Sequence, residues 1–233
     1  MRFCFSACLL VLAAISCSPK EPASDAAPAA RVDAQPAAAA SEPQSTLPRI
    51  VMLGDSLTAG LGLPPNEAYP AIIQQRLDAE GLKFQVVNAG VSGDTSAGGL
   101  RRLDWALDGD VRVLVVALGG NDGLRGLPVS ELQHNLSTII ERAQARHVQV
   151  VLAGMEAPPN FGRDYTLEFR HVYADVAKKY NVKLLPFLLD RVAGNEALNQ
   201  RDGIHPTAEG ARLVADNVWS VLKPLLEDRS PRT

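Results

Sequence analysis

Five short apolar runs punctuate the chain, and most are followed by a stretch whose apolar residues recur with a helical period. Ile50-Val51-Met52-Leu53, closed by Gly54, is the first, and an unbroken apolar run of this length reads as a buried strand. Between Glu67 and Glu80, Ile72, Ile73 and Leu77 share one face, Pro70 suits a first turn and Gly81 a stop, which predicts a helix. Gln85–Asn88 predicts a second strand. Val111–Leu118, with β-branched and apolar Val113-Leu114-Val115-Val116 inside it, predicts a third. A helix is predicted from Ser130, with Gln133 completing a capping box and Leu132, Leu136, Ile139, Ile140 and Ala143 on one face. His147–Ala153 reads as the fourth strand and Thr166–Tyr180 as a helix with Phe169, Tyr173 and Val176 inward. Val182–Leu185 is the fifth strand and Thr207–Leu222 the last helix.

Apolar strands alternating with amphipathic helices predict an α/β fold, a parallel five-stranded sheet covered on both faces in a three-layer α/β/α sandwich. Ligands in such sheets bind beyond the carboxyl ends of the strands, so chemistry is to be sought in the residues that follow each strand.

The chain before Arg49 follows other rules. Met1-Arg2 is a short positive start, Phe3–Ile15 is apolar but too short for a stable membrane anchor, and Ser16-Cys17 ends it with small residues. This is the layout of a signal peptide over 1–17, and Ala14-Ile15-Ser16-Cys17 resembles a bacterial lipoprotein cleavage box with Cys17 as the lipidated residue. Residues 18–48 form an Ala/Pro-rich tether, because 10 Ala and 5 Pro between Ser18 and Leu47 leave no apolar periodicity with which to bury a core. Extended, it would reach roughly 90 Å. The folded domain is expected over 49–228, with a disordered tail at 229–233. All three cysteines, Cys4, Cys8 and Cys17, lie in the leader, so the domain has neither a disulfide nor a thiolate metal site. A net charge of -3, with no basic cluster longer than Arg101-Arg102, argues against a nucleic-acid surface, and that pair reads as a solvated helix face.

Four segments combine glycine with polar residues: Gly54-Asp55-Ser56-Leu57-Thr58, Asn88 to Thr95, Gly119-Gly120-Asn121-Asp122 and Asp202-Gly203-Ile204-His205-Pro206. Taken singly, Ser56 reads as a helix N-cap, and the Gly-x-Ser-x-Gly elbow is absent because residue 58 is Thr. His205 is more informative. His134, His147 and His171 lie in or beside amphipathic helices, where ordinary contacts account for them, whereas His205 precedes a proline that biases it away from helix. Asp202 can reach one ring nitrogen across that turn, fixing the tautomer and aiming the other nitrogen at a nucleophile. The Gly93 N–H, the Asn121 amide and the Ser56 N–H are candidate donors to a developing oxyanion. Asp55, Asp94 and Asp122 are expected to brace their loops through backbone hydrogen bonds.

In this order the four blocks resemble the signature of the SGNH (GDSL) hydrolase family. Gly119–Gly126 and Asn160-Phe161-Gly162-Arg163 are similar to its bacterial periplasmic thioesterase, lysophospholipase and arylesterase group, and the likeness covers about Arg49–Leu226. The resemblance implies a flavodoxin-like sheet, Ser56 as nucleophile, His205 as general base and acid, Asp202 as its orienting carboxylate, and an oxyanion hole of Ser56, Gly93 and Asn121. It implies hydrolysis of aryl esters, acyl thioesters or lysophospholipids through an acyl-Ser56 intermediate, with no metal and no organic cofactor. The loop Glu156–Phe161 would cover the acyl chain, making Ala157, Pro158 and Phe161 candidate substrate contacts, although Glu156 and Pro158-Pro159 depart from the family's pattern. The expected partner is a small acyl ester or thioester, with no nucleic acid. The protein would be a monomer that meets the membrane only through a lipid on Cys17, as an exported periplasmic lipoprotein. A carbohydrate O-acetylesterase is the alternative within the same chemistry. A non-catalytic tethered ligand-binding protein is the alternative outside it, and it has no use for Asp202 or His205.

Overall fold

The structure, a computed structural model, describes residues 47–227. The expected signal peptide with Cys17, the tether up to residue 46 and the tail at 229–233 lie outside the described residues.

Five strands, β1 (Arg49–Gly54), β2 (Gln85–Gly90), β3 (Val111–Ala117), β4 (Gln149–Ala153) and β5 (Lys183–Leu185), form one parallel sheet in the order β2-β1-β3-β4-β5. The chain crosses leftward from β1 to β2 and thereafter rightward from β3. Right-handed crossovers therefore place the intervening helices on opposite faces and leave a crevice above β1 and β3, where the direction reverses. The helices are α1 (Ser56–Ala59), α2 (Tyr69–Ala79), α3 (Ser96–Arg101), α4 (Leu103–Ala106), α5 (Gly120–Leu124), α6 (Val129–Ala145), α7 (Arg163–Tyr180) and α8 (Ala208–Glu227). On one side α2 packs on α8, and on the other α3 and α7 pack on α6, which gives the three layers. Ile50, Met52, Leu53, Leu114, Val115 and Val116 have no solvent exposure, as strands covered on both faces require.

Register matters for the site. Gly54 pairs with Gly90 and with Ala117, so β1, β2 and β3 end at one level and their loops leave the sheet side by side. Gly90 is required there because a Cβ would lie 2.2 Å from the Ala59 nitrogen, at the turn that follows β1.

The five strands and the helices α2, α6, α7 and α8 follow the order expected from the apolar pattern, with local corrections, while α1, α3, α4 and α5 are additional. Helix α6 starts at Val129, not Ser130, and the capping box does not form. Pro128 stands at the cap with φ -57 and no side-chain cap bond, so its fixed geometry starts the helix early and leaves Ser130 inside the first turn. Residue 147 belongs to a turn rather than to β4, with φ 60. Helix α2 begins at Tyr69 because Pro65–Glu67 forms a separate 3₁₀ turn. Helix α8 continues past Leu222 through Pro224 to Glu227, since Leu222 and Leu226 are both buried on its inner face.

Candidate active site

The turn after β1 is built by Asp55 rather than by Ser56. Asp55 Oδ1 accepts the Leu57 N–H at 3.0 Å and caps α1, which makes Ser56 the first helical residue, with its hydroxyl at the crevice. Thr58, at the position where an elbow glycine would stand, bonds the buried Tyr69 hydroxyl at 2.8 Å and roots the turn in α2.

From the opposite side comes the segment before α8. His205 Nε2 lies 2.8 Å from Ser56 Oγ, and His205 Nδ1 lies 2.7 Å from Asp202 Oδ2. The other carboxylate oxygen, Asp202 Oδ1, accepts the Ile204 N–H at 2.9 Å and the His205 N–H at 3.0 Å. The His205 N–H, then the Ile204 N–H, then the imidazole hold the Asp202 carboxyl down to about 2. The residue therefore stays anionic at neutral pH, and the half of its side chain that faces water favours the charged form as well. Gln200 ties this segment to the loop that follows α1: its side-chain amide donates to Leu61 O at 2.7 Å and to Pro206 O at 2.9 Å, while its N–H donates to His205 O at 2.7 Å.

Gly93 adopts φ +83, a conformation that favours glycine, at the same crevice, and Arg125 donates to its carbonyl at 2.9 Å. Asn121, in α5, donates from Nδ2 to Asp94 O at 2.9 Å, and the same nitrogen stands 3.3 Å from Asp55 Oδ2. Ser56, His205, Gly93 and Asn121 all line one cavity of about 550 Å³, whose other walls include Leu124, Met155, Ala157, Pro158, Phe187 and Leu189. That size suits a small organic ligand. Phe161 is placed elsewhere. It does not line the cavity but lies over Gly126 and packs on Tyr165 with ring centroids 5.4 Å apart, because the 3₁₀ turn at Pro159–Phe161 carries it away from Ser56.

The expected bracing by acidic residues takes three forms. Asp122 accepts the Ser96 N–H at 2.8 Å and the Ser96 hydroxyl at 2.5 Å, and Asn135 donates to that hydroxyl at 2.9 Å, which joins α5, α3 and α6. Asp55 behaves as described above. The Asp94 carboxylate pairs instead with Arg102, and this corrects the reading of Arg101-Arg102 as a solvated face: the Arg102 side chain is only 18% exposed. Arg102, Arg125 and Gln200 had no signal in the sequence, since each acts on carbonyls of residues far away along the chain.

Burial pushes the Asp55 carboxyl up to about 6, against the lowering effects of the Leu57 N–H and of His205. A raised carboxyl pKa means that the folded state binds the proton more tightly than the unfolded chain. The resulting cost is absent below about pH 4 and complete above about pH 6. Wild-type stability relative to Asp55→Asn should therefore fall by about 2–3 kcal/mol from pH 4 to pH 7. Urea unfolding of both proteins across that range measures it, and a difference independent of pH would contradict it.

The chain matches the GDSL-like Lipase/Acylhydrolase family over residues 52–213. It is 44% identical over 184 residues to esterase TesA of Pseudomonas aeruginosa, covering 78% of this chain and 92% of the relative. It is 37% identical over 182 residues to thioesterase 1/protease 1/lysophospholipase L1 of Escherichia coli K12, covering 78% and 86%. The crystal structure of TesA superimposes with a TM-score of 0.73 at 43% identity, over 76% of this chain and 99% of that one. The four blocks, the sheet that aligns them and this similarity agree, and the chain belongs to the GDSL (SGNH) hydrolase family as a serine esterase/thioesterase.

Proposed function

We propose that Ser56 is the acyl-accepting nucleophile, His205 the general base and acid, and Asp202 the carboxylate that orients the imidazole. Ser56 N–H, Gly93 N–H and the Asn121 amide serve as the oxyanion donors. The observation that carries this reading is the unbroken line from Asp202 through His205 to Ser56, with links of 2.7 and 2.8 Å, at the wall of the cavity. Ser56 Oγ forms a bond to the acyl carbon while its proton passes to His205 Nε2, and the carbonyl electrons collect on the oxygen held by the three donors. The bond to the leaving alcohol or thiol then breaks as His205 returns the proton to it. Water, losing a proton to His205, repeats the sequence on the acyl-Ser56 ester and releases the acid. No step asks for a metal or cofactor.

The substrate we propose carries an acyl chain of medium length, because the wall next to Ser56 is mostly apolar and the cavity is much larger than an acetyl group needs. In a series of p-nitrophenyl esters from acetate to octanoate, kcat/KM should rise by up to about fourfold per added CH₂ until the cavity is full. Activity confined to the acetyl ester would favour a carbohydrate O-acetylesterase. A fluorophosphonate should label Ser56 and no other serine, and intact folded protein that takes up no label would count against the assignment.

The leader supports export to the periplasm, with a lipid on Cys17 as the tether. Among the described residues no helix is long and apolar enough to cross a membrane. Mass analysis of the mature N-terminus separates the lipidated from the freely exported form.

A further inference from the structure

Arg102 stands between α3 and α4 with its fork turned under the crevice, and its three hydrogen bonds reach three separate segments. Nη2 donates to Gly54 O at 2.7 Å, the residue that enters the Asp55-Ser56 turn. Nη1 donates to Ala89 O at 2.6 Å, at the end of β2, and Nε donates to Asp94 Oδ2 at 2.6 Å, next to Gly93. The chain of contacts continues, since Asp94 O is the acceptor that holds the Asn121 amide at 2.9 Å. The nucleophile turn, the Gly93 loop and the Asn121 helix are thus all referred to one side chain.

Resting on the proposed acyl-transfer site, we infer that Arg102 is a positioning residue: it fixes the spacing of the Ser56 turn, Gly93 and Asn121, and so places the oxyanion donors against the carbonyl attacked by Ser56. A cation placed here only to neutralise Asp94 would need one contact. The two further bonds go to carbonyls of neighbouring strands at the level where Leu53 pairs with Ala89, the edge from which the loops depart. Guanidinium suits the task because its planar fork presents several donors in fixed directions, whereas a lysine ammonium on a flexible stem cannot span the same three acceptors. The arginine bonds no residue that lines the cavity, so its effect must pass through the Ser56 turn, Gly93 and Asn121. Donor misplacement of an ångström is enough to cost about 10²-fold in rate.

The test is a cycle of Arg102→Lys and Arg102→Gln, each in the wild-type and in the Asn121→Ala background, with kcat and KM for p-nitrophenyl butyrate and Tm measured on every protein. In the wild-type background kcat should fall by about 10²-fold for Gln and less for Lys, with KM changed by less than about threefold. In the Asn121→Ala background, where a donor worth about 10²–10³ is already gone, the same substitutions should cost less than about tenfold. A merely structural role would lower Tm but leave the two losses multiplicative, and that result overturns the inference, as does a wild-type kcat for Arg102→Lys. If the Gln variant does not fold because Asp94 is left unpaired, the Lys variant, which keeps the charge, decides the matter by the same criteria. Ser56→Ala is measured alongside. Activity in that variant would remove the acyl-transfer reading itself, whereas an inactive Ser56→Ala with unaffected Arg102 variants would remove only the role given to Arg102.

Discussion

Ser56→Ala should lose about 10⁴–10⁶ of the hydrolysis rate towards p-nitrophenyl butyrate and leave only what the oxyanion donors and substrate binding supply without a nucleophile. The fold should be indifferent to the change. Ser56 keeps its Cβ, α1 is capped by Asp55 and not by the Ser56 hydroxyl, and the loss of Oγ leaves His205 Nε2 facing a cavity that admits water. The substitution also keeps the Ser56 backbone N–H, one of the three proposed donors. Far-ultraviolet circular dichroism and Tm should therefore match the wild type while turnover is lost. Fluorophosphonate labelling should vanish with it. A variant that still hydrolyses the ester at a substantial fraction of the wild-type rate would show that the hydroxyl 2.8 Å from His205 is not the group that carries the acyl chain.

Much of the molecule could be read before its structure because its chemistry sits where its secondary structure ends. The sheet was legible because both faces of each strand are buried, so apolar residues are continuous at Met52, Leu53, Leu114 and Val115 rather than alternating. The contact of His205 with Asp202 was legible because only one histidine stands next to a proline and three residues after an aspartate, a local pattern with a mechanical meaning. What escaped was of two kinds. The short helices α1, α3, α4 and α5 have four to six residues each, too few for a period to show, and α3 and α5 are rich in glycine. The braces Arg102, Arg125 and Gln200 escaped because they hold backbone carbonyls, and a carbonyl has no residue type that a sequence could pair with them. Phe161 was misplaced for a related reason: its loop could be located between β4 and α7, but the direction of a side chain after Pro158-Pro159 depends on a 3₁₀ turn.

The site is consequently a set of short, weakly propensive segments made rigid by long-range polar contacts. Three distant stretches converge because β1, β2 and β3 end level, a fourth arrives from the segment before α8, and they keep their spacing because Arg102, Asp122 and Gln200 each join segments that would otherwise be independent. Such bonds are worth most where the acceptor is buried, as at Gly54 and Ala89. They raise precision in the site with no need for a longer helix or strand.

Asp202→Asn should cost about 10³–10⁴ in kcat with little change in KM, and the reason lies in the proton on the imidazole. In the wild type Asp202 Oδ1 is occupied by the Ile204 and His205 N–H groups, so Oδ2 alone faces His205 Nδ1 at 2.7 Å and can only accept. The ring proton therefore resides on Nδ1, and Nε2 is free to take the proton of Ser56. Asparagine would keep its oxygen on the same two backbone donors, which leaves its NH₂ group against Nδ1. A donor there pairs only with an unprotonated Nδ1, so the ring proton moves to Nε2 and the nitrogen facing Ser56 becomes a donor. The turn survives and the base is lost. Stability should respond in a different pH window from activity: a carboxyl held down to about 2 stabilises the fold above its unfolded value near 3.8 and loses that contribution as pH falls between the two. The gap in Tm between wild type and Asp202→Asn should therefore close below about pH 4, while the gap in kcat persists across the neutral range. A variant within about tenfold of wild-type turnover would mean that the tautomer is set by something other than Asp202.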